Sequence, residues 1–142
     1  MTRIVVGVSA SSGSPNALTA AAEEARRRGA ELVAVQAWRP PRPPAAPGGH
    51  PPGVSRDVDA SLALAEKRLR EQVMAALGAA TPVDCRVVEG GPRSVLRSES
   101  AHADLLVVDA PETHVGAPSK RLVHRLIDEV QCPILVMPPP RP

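Results

Sequence analysis

Three short stretches of the chain hold side chains able to do chemistry. The first is SASSGS at Ser9–Ser14, a run of small, hydroxyl-bearing residues just before Pro15 and a helical pattern. Such a loop can cradle an anion with backbone N–H groups at a helix start. It has no GxGxxG and no following lysine, so it is not a P-loop. No base for a serine nucleophile is identifiable, which argues against serine catalysis. The second stretch holds Asp109, Glu112 and His114 within six residues. These are metal-ligand types, but no second cluster completes a coordination shell, so no metal is expected. The third is Lys120–Arg121, placed in the first turn of a helix, where cations oppose the dipole. An anion bound at that helix start would account for them. Cys85 and Cys132 lie 47 residues apart without a CxxC, so neither a disulfide nor zinc is expected. His50, His102 and His124 read as surface residues. RPPRPP at Arg39–Pro44 has the form of a proline-rich recognition peptide, and is read as a plain extended loop.

The elements that must position these residues follow from apolar runs and their punctuation. Ile4–Val8, Glu31–Ala37, Cys85–Val88, Leu105–Val108 and Ile134–Met137 are short runs suited to strands buried on both faces. Between them lie helical patterns. Ser14 reads as an N-cap with proline at the first helical position, then Leu18, Ala21, Ala22 and Ala25 on one face. Arg26–Arg28 and Gly29 close that helix. Val58, Leu62, Ala65, Leu69, Val73 and Leu77 mark a second helix, ended by Gly78. Ser94–Ala103 is a weaker third. Ser119 caps a fourth, with Leu122, Leu126, Ile127 and Val130 on its apolar face. The alternation βαβαβαβαβ predicts an α/β fold with an open, five-stranded parallel sheet and helices on both faces. Ligands on such sheets sit beyond the C-terminal strand ends.

Composition bounds the function. The chain has 142 residues, which suits a single domain spanning 1–142. It carries 17 Lys and Arg against 15 Asp and Glu, a net charge of +2, too weak to predict a nucleic-acid or membrane partner. One Trp with no Tyr or Phe argues against base-stacking platforms. Most of the prolines fall in a loop at 39–55 and a tail at 138–142, neither able to form a regular element. No run approaches the ~20 apolar residues of a membrane span, and the start of the chain lacks a signal-peptide core, so a cytoplasmic protein is expected.

The order of segments resembles the universal stress protein family. IVVGVSASSGSPNAL, EEARRRGAELVAVQAW, EGGPRSVLRSESAHADLLVV and a last helix ending in CPILVMP run collinear with it over nearly the whole chain. The resemblance implies a Rossmann-like sheet of order 3-2-1-4-5. It also implies a homodimer pairing through Ile134, Leu135, Val136 and Met137. Many members bind ATP, and here the marks of that activity are altered. Ser9 stands where an Asp is usual. Counted against the pattern G-x-x-G-x(9)-G-(S/T), Asp109 and Glu112 replace the first two glycines, and Lys120–Arg121 replace Gly-Ser. Carboxylates facing a polyphosphate would cost about 1–4 kcal/mol per contact, depending on burial. The candidate site at the C-terminal edge of strands one and four is thus Val8, Ser9, Ala10, Ser11, Ala37, Asp109, Glu112, Ser119, Lys120 and Arg121. The resulting expectation is a non-enzymatic, dimeric stress-response regulator with a lost or altered ATP site, no cofactor and an unidentified protein partner. The alternative is a nucleotide or anion sensor using a variant of that site.

Overall fold

The computed structural model describes residues 2–41, 54–110 and 120–140. Residues 42–53 of the expected proline-rich loop, 111–119 and 141–142 lie outside the described residues. Nine elements alternate along the chain: β1 (Arg3–Gly7), α1 (Pro15–Arg28), β2 (Glu31–Trp38), α2 (Val54–Leu77), β3 (Asp84–Glu89), α3 (Pro92–Glu99), β4 (Leu105–Asp109), α4 (Lys120–Glu129) and β5 (Ile134–Met137).

The strands form one sheet of order β3-β2-β1-β4-β5, and every neighbouring pair is parallel. Register carries single rows of side chains across it. Cys85 pairs with Ala34, Ala34 with Val6, Val6 with Val107, and Val107 with Leu135. This row belongs to the layer under α1 and α2, where Leu18, Ala21, Leu69 and Val73 are buried against it. Val5, Val33, Leu106 and Val108 face the opposite layer, with Val95 and Leu96 of α3 and Leu126 of α4. Two-sided burial explains why β1, β4 and most of β2 read as continuous apolar runs, whereas the edge strand β3 carries Arg86 and is only partly buried.

Local signals set most boundaries. Gly29 takes φ +61°, and the Ala30 N–H reaches back to the Ala25 carbonyl at 2.8 Å, a Schellman-type end to α1. The structure departs from the sequence reading at three helices. α2 begins at Val54, inside the segment assigned to the proline-rich loop, because no proline lies between Pro52 and Pro82 to forbid it. α3 spans Pro92–Glu99 rather than Ser94–Ala103: proline is pre-organised for a first helical position, and Ser100 ends the helix by donating its hydroxyl to the Leu96 carbonyl. On α4, Ile127 is 58% exposed, while Leu122, Val123 and Val130 pack around the fully buried Leu126. Val123 therefore takes the inward place expected for Ile127. Among the described residues, no helix is long and apolar enough to cross a membrane.

Candidate functional site

The C-terminal ends of β1, β2 and β4 open into a cleft of about 420 Å3. Its floor is apolar, from Val8, Val35, Ala37 and Val108 at the strand ends. One wall is Pro92 and Leu96 of α3 with Leu122 and Val123 of α4; the other is the loop Ser9–Ser14. Pro140 of the tail also borders it. The tail is held there by Asn16, whose side-chain amide donates to the Pro138 carbonyl at 2.9 Å.

Gly7 sits in this floor for a packing reason. A Cβ there would lie 3.1 Å from both Leu96 methyls and 3.2 Å from Val108 Cγ1. Glycine lets α3 and β4 close beneath the cleft.

The serine loop is internally bonded. Ser9 N–H donates to Ser14 Oγ at 2.9 Å, and the Ser9 carbonyl accepts from Gly13 N–H at 2.8 Å. The hydroxyls of Ser9 and Ser11 are 3.0 Å apart. Ser14 does stand at the N-cap position of α1, but it makes no side-chain cap. Its backbone is left-handed, φ +46°, directly after Gly13 at φ +77°. The Ser14 hydroxyl has turned back to the loop, which leaves the first N–H groups of α1 to another acceptor.

Asp109 is the carboxylate nearest those N–H groups. Along β4, Leu105 and Val107 face α1 and α2, and Leu106 and Val108 face α3 and α4. Alternation then carries the Asp109 side chain to the α1 side. Both carboxylate oxygens are buried, and neither has a hydrogen bond of good geometry. Burial pushes this carboxyl above the usual carboxylate range, and the nearby backbone N–H groups of Ala17 and Asn16 oppose the rise. Asp109 borders the cleft, yet its charge lies under the start of α1.

Of the residues named from sequence, Val8, Ser9, Ala10, Ser11, Ala37 and Asp109 all line this one cleft. Lys120 and Arg121 open α4 as expected. Glu112, Ser119 and His114 lie outside the described residues. The sequence reading missed the α3 and α4 walls. It also missed Gln36, a buried amide within the otherwise apolar run Leu32–Trp38 of β2. A lone polar residue in an apolar run was the signal that marked it. Both cysteines are free, and burial pushes both thiols up, away from thiolate reactivity. Among the described residues no three His, Cys, Asp or Glu side chains cluster as metal ligands.

Solved structures share this architecture. Universal stress protein UspA from Lactobacillus plantarum superposes with a TM-score of 0.69 at 22% identity, over 96% of this chain and 97% of that one. A universal stress protein in complex with cAMP gives 0.63 at 21% identity, over 96% and 95%. The universal stress protein of Archaeoglobus fulgidus in complex with dAMP gives 0.54 at 18%, over 96% and 97%. No curated protein sequence matches the chain. The sequence model of the universal stress protein family matches residues 1–138, nearly the whole length. With the sheet order and the cleft at its C-terminal edge, that match establishes that the chain belongs to the universal stress protein family.

Proposed function

We propose that this chain is a non-catalytic regulator of the universal stress protein type whose cleft takes an adenine mononucleotide in preference to ATP. The observation that carries the reading is the cleft itself. Its volume of about 420 Å3 lies within the roughly 300–1,000 Å3 typical of small-ligand sites. Its floor is apolar enough for a base, and the Ser9 and Ser11 hydroxyls on its rim suit a sugar. The complexes of similar proteins with cAMP and dAMP agree with a ligand of this class.

The residues present do not fit a triphosphate well. Ser9 offers no charge-assisted acceptor, a loss of about 1.5–3 kcal/mol where a charged partner is usual. Asp109 carries a side chain where the family pattern has glycine, and close backbone approach to phosphate needs glycine. Its buried carboxylate is also the one titratable group among the described lining residues, so the described walls supply no general base facing the cleft. Lys120 and Arg121 at the start of α4 favour one compact phosphate there.

Calorimetry with AMP, cAMP and ATP, with and without magnesium, tests this. AMP or cAMP is expected to bind in the micromolar range, and ATP more weakly than about 100 μM, roughly 5.5 kcal/mol. Micromolar ATP binding weakened by Arg121→Ala would overturn the reading in favour of an intact, variant ATP site.

A further inference from the structure

We propose that Gln36 and Gln72 are positioning residues: together they hold the Ser9–Ser14 loop in the shape that the cleft needs to bind its ligand. The inference rests on the nucleotide reading of the cleft and adds to it a device that sets affinity from outside the lining.

Gln36 projects from β2 into the layer under α2 and is 5% exposed. A buried amide is costly unless its hydrogen bonds are made. Its two N–H groups have two acceptors: the Val8 carbonyl at 3.5 Å, and Gln72 Oε1 on α2 at 3.2 Å. Gln72 then donates its own amide N–H to the Ala10 carbonyl at 3.1 Å. The relay therefore grips the backbone on both sides of Ser9. Val8 and Ala10 both line the cleft; neither glutamine does.

The loop needs such a brace. Gly13 and Ser14 are consecutive left-handed residues, and Ser14 is not glycine, a conformation that surrounding contacts must impose. Gln72 also packs over this bend: a Cβ on Gly13 would meet Gln72 Cγ at 3.5 Å. One side chain of α2 thus bonds the near end of the loop and covers its far end. With the relay cut, the loop samples other shapes, and affinity falls by the fraction of time it spends in the competent one.

The test uses three proteins: wild type, Gln72→Met and Gln72→Glu. Met keeps length and bulk but makes neither bond. Glu still accepts from Gln36, but as a carboxylate it cannot donate to Ala10. Two readouts are taken, AMP affinity by calorimetry and backbone amide exchange of Gly13 in the unliganded protein, with the melting temperature as a control. Both variants are expected to bind AMP about five- to tenfold more weakly and to exchange the Gly13 amide about tenfold faster. Their melting temperatures should stay within ~3 °C of wild type. Unchanged affinity in both variants, where wild type binds, overturns the positioning role. If wild type binds no nucleotide, the ligand reading fails by itself, and Gly13 exchange still decides the relay: unchanged exchange overturns it. A melting temperature lowered by ~10 °C, with affinity and Gly13 exchange unchanged, assigns the glutamines to stability and also overturns it.

Discussion

Asp109 shows how a residue's chemistry depends on the side of the strand it takes. One position earlier or later its carboxylate would face α3 and α4; in register it sits under α1, where the uncapped N–H groups of Asn16 and Ala17 draw it. Its raised pKa has a definite consequence for stability. The folded chain holds this proton more tightly than the unfolded chain does. Stability from this group is therefore present at low pH and falls as pH rises from the ordinary Asp value, about 3.9, through the raised folded value. Asp109→Asn keeps the shape and removes the charge. It is expected to melt above wild type at pH 7, with the gap closing as pH drops below the ordinary carboxyl range. Melting curves from pH 3 to 8 check this, and a variant less stable than wild type at pH 7 would show that the α1 amides outweigh the burial.

At the scale of elements, the turn between β3 and α3 sets how α3 meets the cleft. Gly90 and Gly91 are adjacent and alike in sequence, yet the structure separates them. Gly90 has φ +138°, and a Cβ there would lie 3.0 Å from Cγ2 of the buried Val95. Gly91 has an ordinary extended backbone, φ −75°, and its Cβ would meet only the free end of Arg39 at 2.7 Å. Gly90→Ala is expected to cost about 1–3 kcal/mol, from backbone strain and overpacking. Gly91→Ala should stay within about 0.5 kcal/mol, since an exposed arginine end moves aside. Urea unfolding of the two variants measures the difference. α3 is also tied to α4 by Glu129, which accepts from Arg93 and lies 3.5 Å from Arg97. These partly exposed pairs orient the two helices more than they stabilise them.

At the scale of the whole molecule, β5 ends the sheet. The Pro133 carbonyl accepts from Leu106 N–H, and the Met137 carbonyl from Ala110 N–H, so odd-numbered residues of this strand bond inward to β4. Ile134 and Val136 then offer their backbone groups to the open edge, and Val136 is 39% exposed. An open apolar edge is an aggregation hazard unless it is paired. We propose that a second copy covers it in an isologous pair. Val136→Pro removes an outward N–H without breaking the β4 ladder, as edge strands allow. Leu135→Lys is a poorer probe, because Leu135 packs on the α1/α2 layer and its loss also weakens the core. Sedimentation should find wild type dimeric at micromolar concentration and Val136→Pro monomeric and folded. A monomeric wild type would sink the proposal.

What the sequence determined by itself was local. The central strands β1, β2 and β4 were legible because short runs buried on both faces leave a nearly unbroken apolar signal, and Ile134–Met137 was read with the bounds the structure shows. Gly29 marked the end of α1 because a left-handed C-cap needs only its own residue. The strand ends and the serine loop were legible as the borders of the cleft because parallel sheets open at that edge. The family resemblance, spread along the whole chain, carried the strand order that no local signal contains. What tertiary structure alone decided depends on distant partners. Ile127 faces outward because α4 turns Val123 toward the sheet. The Asp109 carboxylate is buried because α1 lies over it. Gln36 matters because Gln72, 36 residues later, comes to rest beside it. Periodicity records which residues share a face; it does not record what that face meets. For the cleft, what it meets decides whether a polar side chain serves as a ligand contact, a helix cap or a brace.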